Sequence, residues 1–261
     1  MINFAFLTTL RMQTDEFFID NNSVSPIPEA EYKKINALID TFNAVSRVVY
    51  QSLYIIDYNR QNFLYVSYNP LFLCGHTTQE ILEMGYAFYI HFVPEQEQIM
   101  LKEINKTGFD FFEKLPIEDK LKSTISYDFH IVNGKKKTLI NHKLTPILLT
   151  EEGRIWLAAC IVSLSSYSTP GHIVLRLTGQ SAFWEYSQKS HKWKENKGIT
   201  LSEREKDILS LSAQGYTMNE IADELYLSLD SIKQAKRTIF DKLEVKNITE
   251  ALSFATSYKL L

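Results

Sequence analysis

The sequence predicts an α+β domain built on an antiparallel sheet, followed by an all-α domain of four short helices. Two pairs of short β-type runs lie within the first 165 residues, each pair joined by a polar turn. Short helix signals separate the two pairs, and four helix entrances follow one another after residue 199. The chain has 261 residues, of which 45% are hydrophobic, so it is long enough for two domains with separate cores.

These signals divide the chain into four predicted parts. Residues 1–28 are unassigned, and two prolines make the end of this part a loop rather than a helix. Residues 29–165 form the sheet domain together with a preceding amphipathic helix. Residues 166–198 form an extra hairpin and a linker, and residues 199–261 form the helical domain.

Composition excludes several classes of protein. The formal net charge is −3 and the pI is about 6.1, so any affinity for nucleic acid has to come from a local basic surface. Cys74 and Cys160 are far apart in the sequence, which indicates a reducing compartment and neither a disulfide scaffold nor a structural zinc. No run approaches the ~18 apolar residues of a membrane helix, and residues 1–10 lack the basic start of a signal peptide. We therefore expect a cytoplasmic protein without a membrane contact.

From Glu29 onward the spacing of apolar residues predicts a helix with one apolar stripe. The stripe consists of Ile35, Leu38, Ile39, Phe42, Val45, Val48 and Val49. It either packs on the helix's own domain or also pairs with a second subunit, and the sequence leaves both interpretations open.

The first predicted hairpin pairs residues 53–57 with residues 63–67 across a polar turn. A short helix follows at 78–82, and Pro94 opens a further helix that extends to about residue 104. After these helices the chain becomes strand-like again, so the helices are an insertion between two strand pairs.

The register of the second hairpin follows from alternation, because a slip of one residue would turn every apolar side chain to the other face. A four-residue loop at 133–136 keeps the apolar side chains together, whereas a two-residue loop would place Leu139 opposite Asp128. The strand at 155–162 is apolar on both faces, so we expect it at the centre of the sheet or covered on both sides. The predicted pairs are Ile125 with Leu144, Tyr127 with His142, Phe129 with Ile140, and Ile131 with Thr138.

The order of two strands, short helices and three long antiparallel strands resembles that of a PAS domain. Residues 54–57, 64–67, 73–75 and 91–95 carry the likeness, and Pro94 in the last segment opens a helix. The resemblance implies a sensory or dimerising module with a pocket between the sheet and the short helices. The pocket holds a small-molecule ligand or is an empty, packed core.

No cofactor is predicted for this pocket. Cys74 lacks the neighbours of a flavin photoreceptor, and single histidines such as His76, His91, His130 and His142 more often pack or form hydrogen bonds than bind haem. A redox cofactor in this domain stays open as an alternative. No Ser/His/Asp or paired-carboxylate arrangement can be identified, so the sequence predicts a binding protein and not an enzyme.

Between the two domains the sequence predicts an extra hairpin with strands at 172–177 and 182–186. The segment 188–198 is polar and rich in lysine, and Trp193 is its obvious apolar anchor. We interpret this segment as a solvated linker.

Four helices are predicted at the end of the chain, at 202–213, 217–224, 228–243 and 247–259. Ser202, Thr217 and Asn247 each precede a glutamate by three residues, a spacing in which both side chains satisfy free N–H groups of a helix start. Ser228 is a fourth capping candidate, and Gly215 supplies a left-handed turn after the first helix.

The second and third of these helices have the spacing of a helix-turn-helix. Ile221 and Ala222 face the core in the second helix, and Ile232 and Ile239 hold the third helix against it. The basic and polar side chains of the third helix then point outward, where a recognition helix contacts base edges. These side chains are Lys233, Gln234, Lys236 and Arg237.

The last sixty residues resemble the LuxR-type helix-turn-helix family. Matching positions include 201–205, 220–222, Ile232, Lys233 and Ile239. The resemblance implies base contacts from Lys233, Gln234 and Arg237, and phosphate contacts from Ser231, Lys236 and Lys242. Two positions depart from the family, since Ala235 stands where His is common and Ile248 where Arg is common.

Acidic residues outnumber basic ones in this domain, so a single copy is expected to bind DNA weakly. We therefore expect a homodimer on double-stranded DNA. The predicted dimer surface on the last helix consists of Ala251, Phe254, Ala255 and Tyr258.

The main hypothesis is a transcription regulator. Its PAS-like domain senses a signal or dimerises, and its C-terminal helix-turn-helix binds DNA. The alternative is a helix-turn-helix that now serves as a protein-interaction module, because the domain is acidic and carries Ala235 on its third helix.

Overall fold

The computed structural model describes Thr14, residues 16–180, 182–257, and residues 260 and 261. The predictions for residues 1–13, Asp15 and Tyr258 lie outside the described residues. The chain divides into two compact units, residues 1–195 and 196–261. None of the helices in the described part of the chain is long and apolar enough to cross a bilayer.

The first unit is built on one antiparallel sheet. Within the described residues it has eight strands, in the spatial order β2-β1-β5-β4-β3-β6-β7-β8. The strands are β1 (Ser52–Asp57), β2 (Asn62–Val66), β3 (Ser123–Asn133), β4 (Lys136–Leu149), β5 (Ile155–Leu164), β6 (Gly171–Leu177), β7 (Phe183–Ser187) and β8 (Lys192–Asn196).

Helices lie on both faces of this sheet. A 3-10 turn, Asp20–Asn22, comes first, and two helices precede β1: α1 (Glu29–Lys34) and α2 (Asn36–Ser46). Between β2 and β3 lie α3 (Pro70–Leu73), α4 (Thr78–Met84), α5 (Ala87–Phe92), α6 (Glu95–Glu113) and α7 (Ile117–Lys120). The prediction of an antiparallel sheet with helices is confirmed, whereas the PAS-like identity stays a prediction.

The predicted strand pairing is confirmed. β1 pairs with β2, and β3 pairs with β4 in the predicted register, with Tyr127 opposite His142 and Phe129 opposite Ile140. The pairing continues to Asn133 opposite Lys136, so the loop is shorter than predicted although the register is right. β5 lies between β1 and β4, as its apolar faces indicated.

The two faces of the sheet bury different clusters. One face packs Tyr54 and Phe129 against α3 to α6, and both side chains are fully buried. The opposite face packs Leu53 and Trp156 against α1 and α2. The helix predicted from Glu29 is interrupted at Ile35, a buried residue that ends α1 and precedes α2.

The linker interpretation of residues 188–198 is wrong for β8, which extends the sheet beyond β7. Trp193 on β8 donates a hydrogen bond from Nε1 to Thr107 Oγ1 at 3.0 Å. Its ring also lies 5.3 Å from Phe111 and 5.2 Å from Tyr186, measured between ring centroids. The strand therefore forms because its one aromatic residue finds partners on α6 and β7, which local composition does not reveal.

A buried polar network lies at the centre of the larger cluster. The hydroxyl of Tyr54 is 2.6 Å from that of Tyr89 and 2.5 Å from Nε2 of His142. All three residues are buried, and Nδ1 of His142 has no hydrogen-bond partner among the described residues. Burial lowers the pKa of His142 from 6.5 to about 3, so the ring is neutral at ordinary pH.

We expect the free energy of unfolding to fall as the pH is lowered from about 6.5 towards 3. In that window the unfolded chain binds a proton at His142 and the folded chain does not, which costs about 1.4 kcal/mol per pH unit. Urea unfolding of the protein and of His142→Gln over this range measures the effect, since groups common to both cancel in the difference. The stability advantage of the parent should shrink as the pH falls, and a constant difference would contradict the burial effect.

Candidate nucleic-acid interface

The second unit consists of four short helices whose starts are fixed by side-chain caps. The helices are α8 (Glu203–Ala213), α9 (Met218–Glu224), α10 (Leu229–Leu243) and α11 (Ile248–Ser257). Ser202 with Glu205 and Thr217 with Glu220 form reciprocal capping boxes, as predicted. Each glutamate accepts the backbone N–H of its capping residue at 2.7 Å, so each helix starts at a defined residue.

The helix-turn-helix is held together by a small apolar core. Ile221 and Ala222 on α9 pack with Ile232 and Ile239 on α10, and their exposed fractions are 0 to 5%. Gly215 ends the preceding turn with a φ of +90°, the left-handed conformation that the sequence predicted. The small side chain of Ala222 permits the close approach of the two helices.

The outward face of α10 carries the three predicted base-contacting residues. Ser228 caps the helix by accepting the N–H of Ser231 at 3.1 Å. Lys233, Gln234 and Arg237 are all exposed, and they share the side of the helix opposite the buried isoleucines. Lys233 is paired with Asp230 at 3.2 Å on the surface. An exposed pair of this kind is weak, so it leaves the lysine able to exchange its partner.

The predicted phosphate-contacting residues differ in their availability. Ser231 is exposed, and Lys236 is half-buried, with burial lowering the pKa of its amine. Lys242 donates to Glu205 Oε1 at 2.9 Å, to Oε2 at 2.8 Å and to the carbonyl of Thr200. The ion pair between Lys242 and Glu205 thus links α10 to the start of α8, a role that the sequence did not predict.

The structure corrects part of the predicted dimer surface. Ala251 and Ala255 are fully buried in the core of this unit, so a second copy cannot reach them. Their small side chains let α11 approach the other helices, which explains the alanine spacing without a dimer. Phe254 is partly buried against the same core, and Tyr258 lies outside the described residues.

The first unit contains a small cavity between α6 and strands β3, β4 and β6. Its volume is ≈ 50 Å³, enough for a few water molecules, and none of its lining side chains is charged. Asn105, Ser123 and Tyr127 are its polar lining residues. The four histidines considered as haem ligands are not among the lining residues, and His142 instead bonds Tyr54. Within the residues that the structure describes, no three His, Cys, Asp or Glu side chains are placed to hold a metal ion.

Residues 199–255 match the family model of bacterial regulatory proteins of the luxR family. The C-terminal domain is a LuxR-type helix-turn-helix domain. The sequence-based assignment of this segment is therefore confirmed, and the capped α9 and α10 are the two helices of the motif.

Curated relatives share this LuxR-type domain. The oxygen regulatory protein NreC of Staphylococcus carnosus is 41% identical over 61 residues, which are 23% of this chain and 28% of NreC. NreC of Staphylococcus epidermidis RP62A is 28% identical over 136 residues, or 52% of this chain and 59% of that protein. The response regulator VraR of Staphylococcus aureus Mu3 is 38% identical over 61 residues, or 23% and 29%. The chain thus spans less than two thirds of these relatives, which are regulatory proteins rather than enzymes.

Solved structures give a weaker comparison. A phage VqmA-DPO complex is 17% identical, covers 89% of this chain and 93% of that chain, and has a TM-score of 0.33. Escherichia coli SdiA is 13% identical, covers 98% of both chains, and has a TM-score of 0.27.

We expect Lys242→Met to lower the free energy of unfolding of the LuxR-type domain by about 1–3 kcal/mol, because it leaves the buried Glu205 carboxylate without its cation. Burial alone would raise the pKa of Glu205, but hydrogen bonds from Lys242 and Ser202 lower it below its usual value. Lys206→Met is the matched control, since Lys206 pairs with the exposed Glu203. Thermal unfolding monitored by circular dichroism should show a clear loss for the first variant only, and equal losses would contradict this role.

Proposed function

We propose that the protein is a DNA-binding transcription regulator that acts as a homodimer. The observation that carries the proposal is the outward face of α10, where Lys233, Gln234 and Arg237 stand together on a capped helix of a LuxR-type domain. In a helix-turn-helix, the N-terminal part of the second helix enters the major groove and contacts base edges. Long basic and amide side chains are the groups that form paired hydrogen bonds with guanine and adenine there.

Charge explains why two copies are needed. Residues 199–261 contain ten acidic and eight basic side chains, so the domain as a whole does not attract DNA. Four of these eight basic side chains, Lys233, Lys236, Arg237 and Lys242, lie on α10, so one copy is expected to neutralise few phosphates. Two copies on a two-fold site double the number of contacts without changing the domain.

The first unit offers a surface for the second copy. Val48, two residues after the end of α2, is 80% exposed, and Tyr50 and Tyr68 are 96% and 87% exposed. The two tyrosines are near each other, since Asn69 beside Tyr68 donates to the carbonyl of Tyr50 at 2.8 Å. Exposed apolar residues grouped in this way favour an interface. We infer that a second copy covers them, which is the second of the two interpretations of the apolar stripe.

The first unit is also proposed to sense the signal, in the cytoplasm. A ligand in the uncharged cavity beside α6 would be neutral and, at a volume of ≈ 50 Å³, no larger than a few water molecules. The alternative function is a helix-turn-helix that contacts another protein, and the excess of acidic residues favours it. Genomic selection with the purified full chain separates the two, since a protein-contact module would recover no DNA sequence even at low salt.

Lys233→Ala and Lys236→Ala should weaken DNA binding in different ways. Loss of a base contact at Lys233 should cost about 1–3 kcal/mol on the selected site and relax the preference at one base pair. Loss of a phosphate contact at Lys236 should weaken all sequences about equally and lower the salt slope by about one. Equilibrium binding to the selected site and to a scrambled site at several salt concentrations measures both effects. Identical behaviour of the two variants would contradict the assignment of roles.

Val48→Asp should dissociate the homodimer, because a carboxylate would be buried without a partner in the interface. Sedimentation equilibrium of the full chain should show monomers, and affinity for a two-fold site should drop more than affinity for a half-site. Ile99→Asp is the control, since Ile99 is 63% exposed on α6, outside the proposed interface. A Val48→Asp protein that remains dimeric would place the interface elsewhere.

A further inference from the structure

The connection between α9 and α10 contains a residue in an unfavourable conformation. Tyr226 has a φ of +54°, in the left-handed region where residues other than glycine, asparagine and aspartate are strained. Its backbone N–H donates to Asp223 O at 3.2 Å, and the next N–H, of Leu227, donates to Ala222 O at 2.8 Å. These bonds are those of a helix end at which glycine is the usual residue, so the fold does not itself require tyrosine.

The side chain of Tyr226 gains nothing from the domain's core. It is 96% exposed, whereas its neighbours Leu225 and Leu227 are partly buried against the core. The two leucines thus hold the turn in place and leave the aromatic ring between them in solvent. A strained backbone combined with a fully exposed aromatic side chain is costly, and such combinations persist mainly at functional positions.

The position of the turn indicates what Tyr226 contacts. In a helix-turn-helix on DNA, the first helix crosses the phosphate backbone and the second enters the major groove by its N-terminal end. The residues that join them therefore lie beside the backbone at the edge of the groove. Tyr226 is two residues before Ser228, so its Cα lies within about 7 Å of the helix cap.

We propose that Tyr226 is a DNA-contacting residue whose phenolic hydroxyl donates a hydrogen bond to a phosphate at the edge of the major groove. This assignment rests on the proposed function. A neutral donor suits the place, because Asp223, Glu224 and Asp230 surround the turn in sequence and would repel a phosphate if they approached it instead. The contact adds affinity without adding positive charge.

Two variants of the full chain test the contact on the selected DNA fragment. Tyr226→Phe keeps the ring and should weaken binding about tenfold, with an unchanged salt slope because no charge is lost. Tyr226→Asn should weaken binding at least as much and yet raise the melting temperature by a few degrees, because asparagine tolerates the left-handed conformation. Opposite changes in stability and in affinity are the signature of a strained contact residue.

Glu244→Asn is the matched control. Glu244 follows the C-terminal end of α10, has the same φ of +54° as Tyr226 and is also exposed, but it lies at the end of α10 away from the proposed groove contact. Its replacement should raise the melting temperature without weakening DNA binding. If Tyr226→Phe or Tyr226→Asn binds as tightly as the parent, the contact is overturned while the proposed function stands. If the parent itself binds no DNA, both are overturned together.

Discussion

The rotation of α10 about its own axis is the constraint on which the proposed DNA-contacting surface depends. Ile232 and Ile239, seven residues apart, are both fully buried against α9 and therefore fix that rotation. Because successive residues of an α-helix are ~100° apart, a shift of one position would turn a different set of side chains outward. The packing of two isoleucines thus determines which side of α10 carries Lys233, Gln234 and Arg237.

The first unit uses its core differently. Its centre contains polar groups, since the hydroxyls of Tyr54 and Tyr89 and the ring of His142 are all buried there. Such a network stabilises less than apolar packing would, and it tolerates few rearrangements because every displaced donor or acceptor loses a partner. A core of this kind favours one arrangement of the sheet and α5 over alternatives. A single defined conformation of this kind would be an advantage in the sensing role proposed for the first unit.

Local and periodic signals predicted much of the structure. Alternation predicted the pairing of β3 with β4, and glutamates three residues after a capping side chain predicted the starts of α8 and α9. Contacts between distant residues were not predictable in the same way. Trp193 contacts Thr107 and Phe111, which lie about 80 residues earlier in the chain, so a segment that reads as a polar linker forms a strand instead. Likewise, the four-residue spacing of Ala251 and Ala255 fits a buried core face and a dimer interface equally well. Only their complete burial shows that they belong to the core.

In the proposed regulator, the acidic balance of the C-terminal domain determines how a signal in the first unit would control DNA binding. If one domain had a strongly basic surface, it would occupy DNA as a monomer, and dimerisation would add little to occupancy. In the present domain, the proposed basic contacts lie on one face of α10, and Tyr226 would add only a neutral hydrogen-bond donor. A single domain is therefore expected to bind DNA weakly. When two DNA-binding domains are joined in a dimer, binding of the second domain to the same DNA becomes intramolecular. The effective concentration of the second domain then depends on the geometry of the dimer and not on the concentration of protein in the cell. If the first unit dimerises as proposed, a modest change in its dimerisation would therefore produce a large change in the occupancy of DNA.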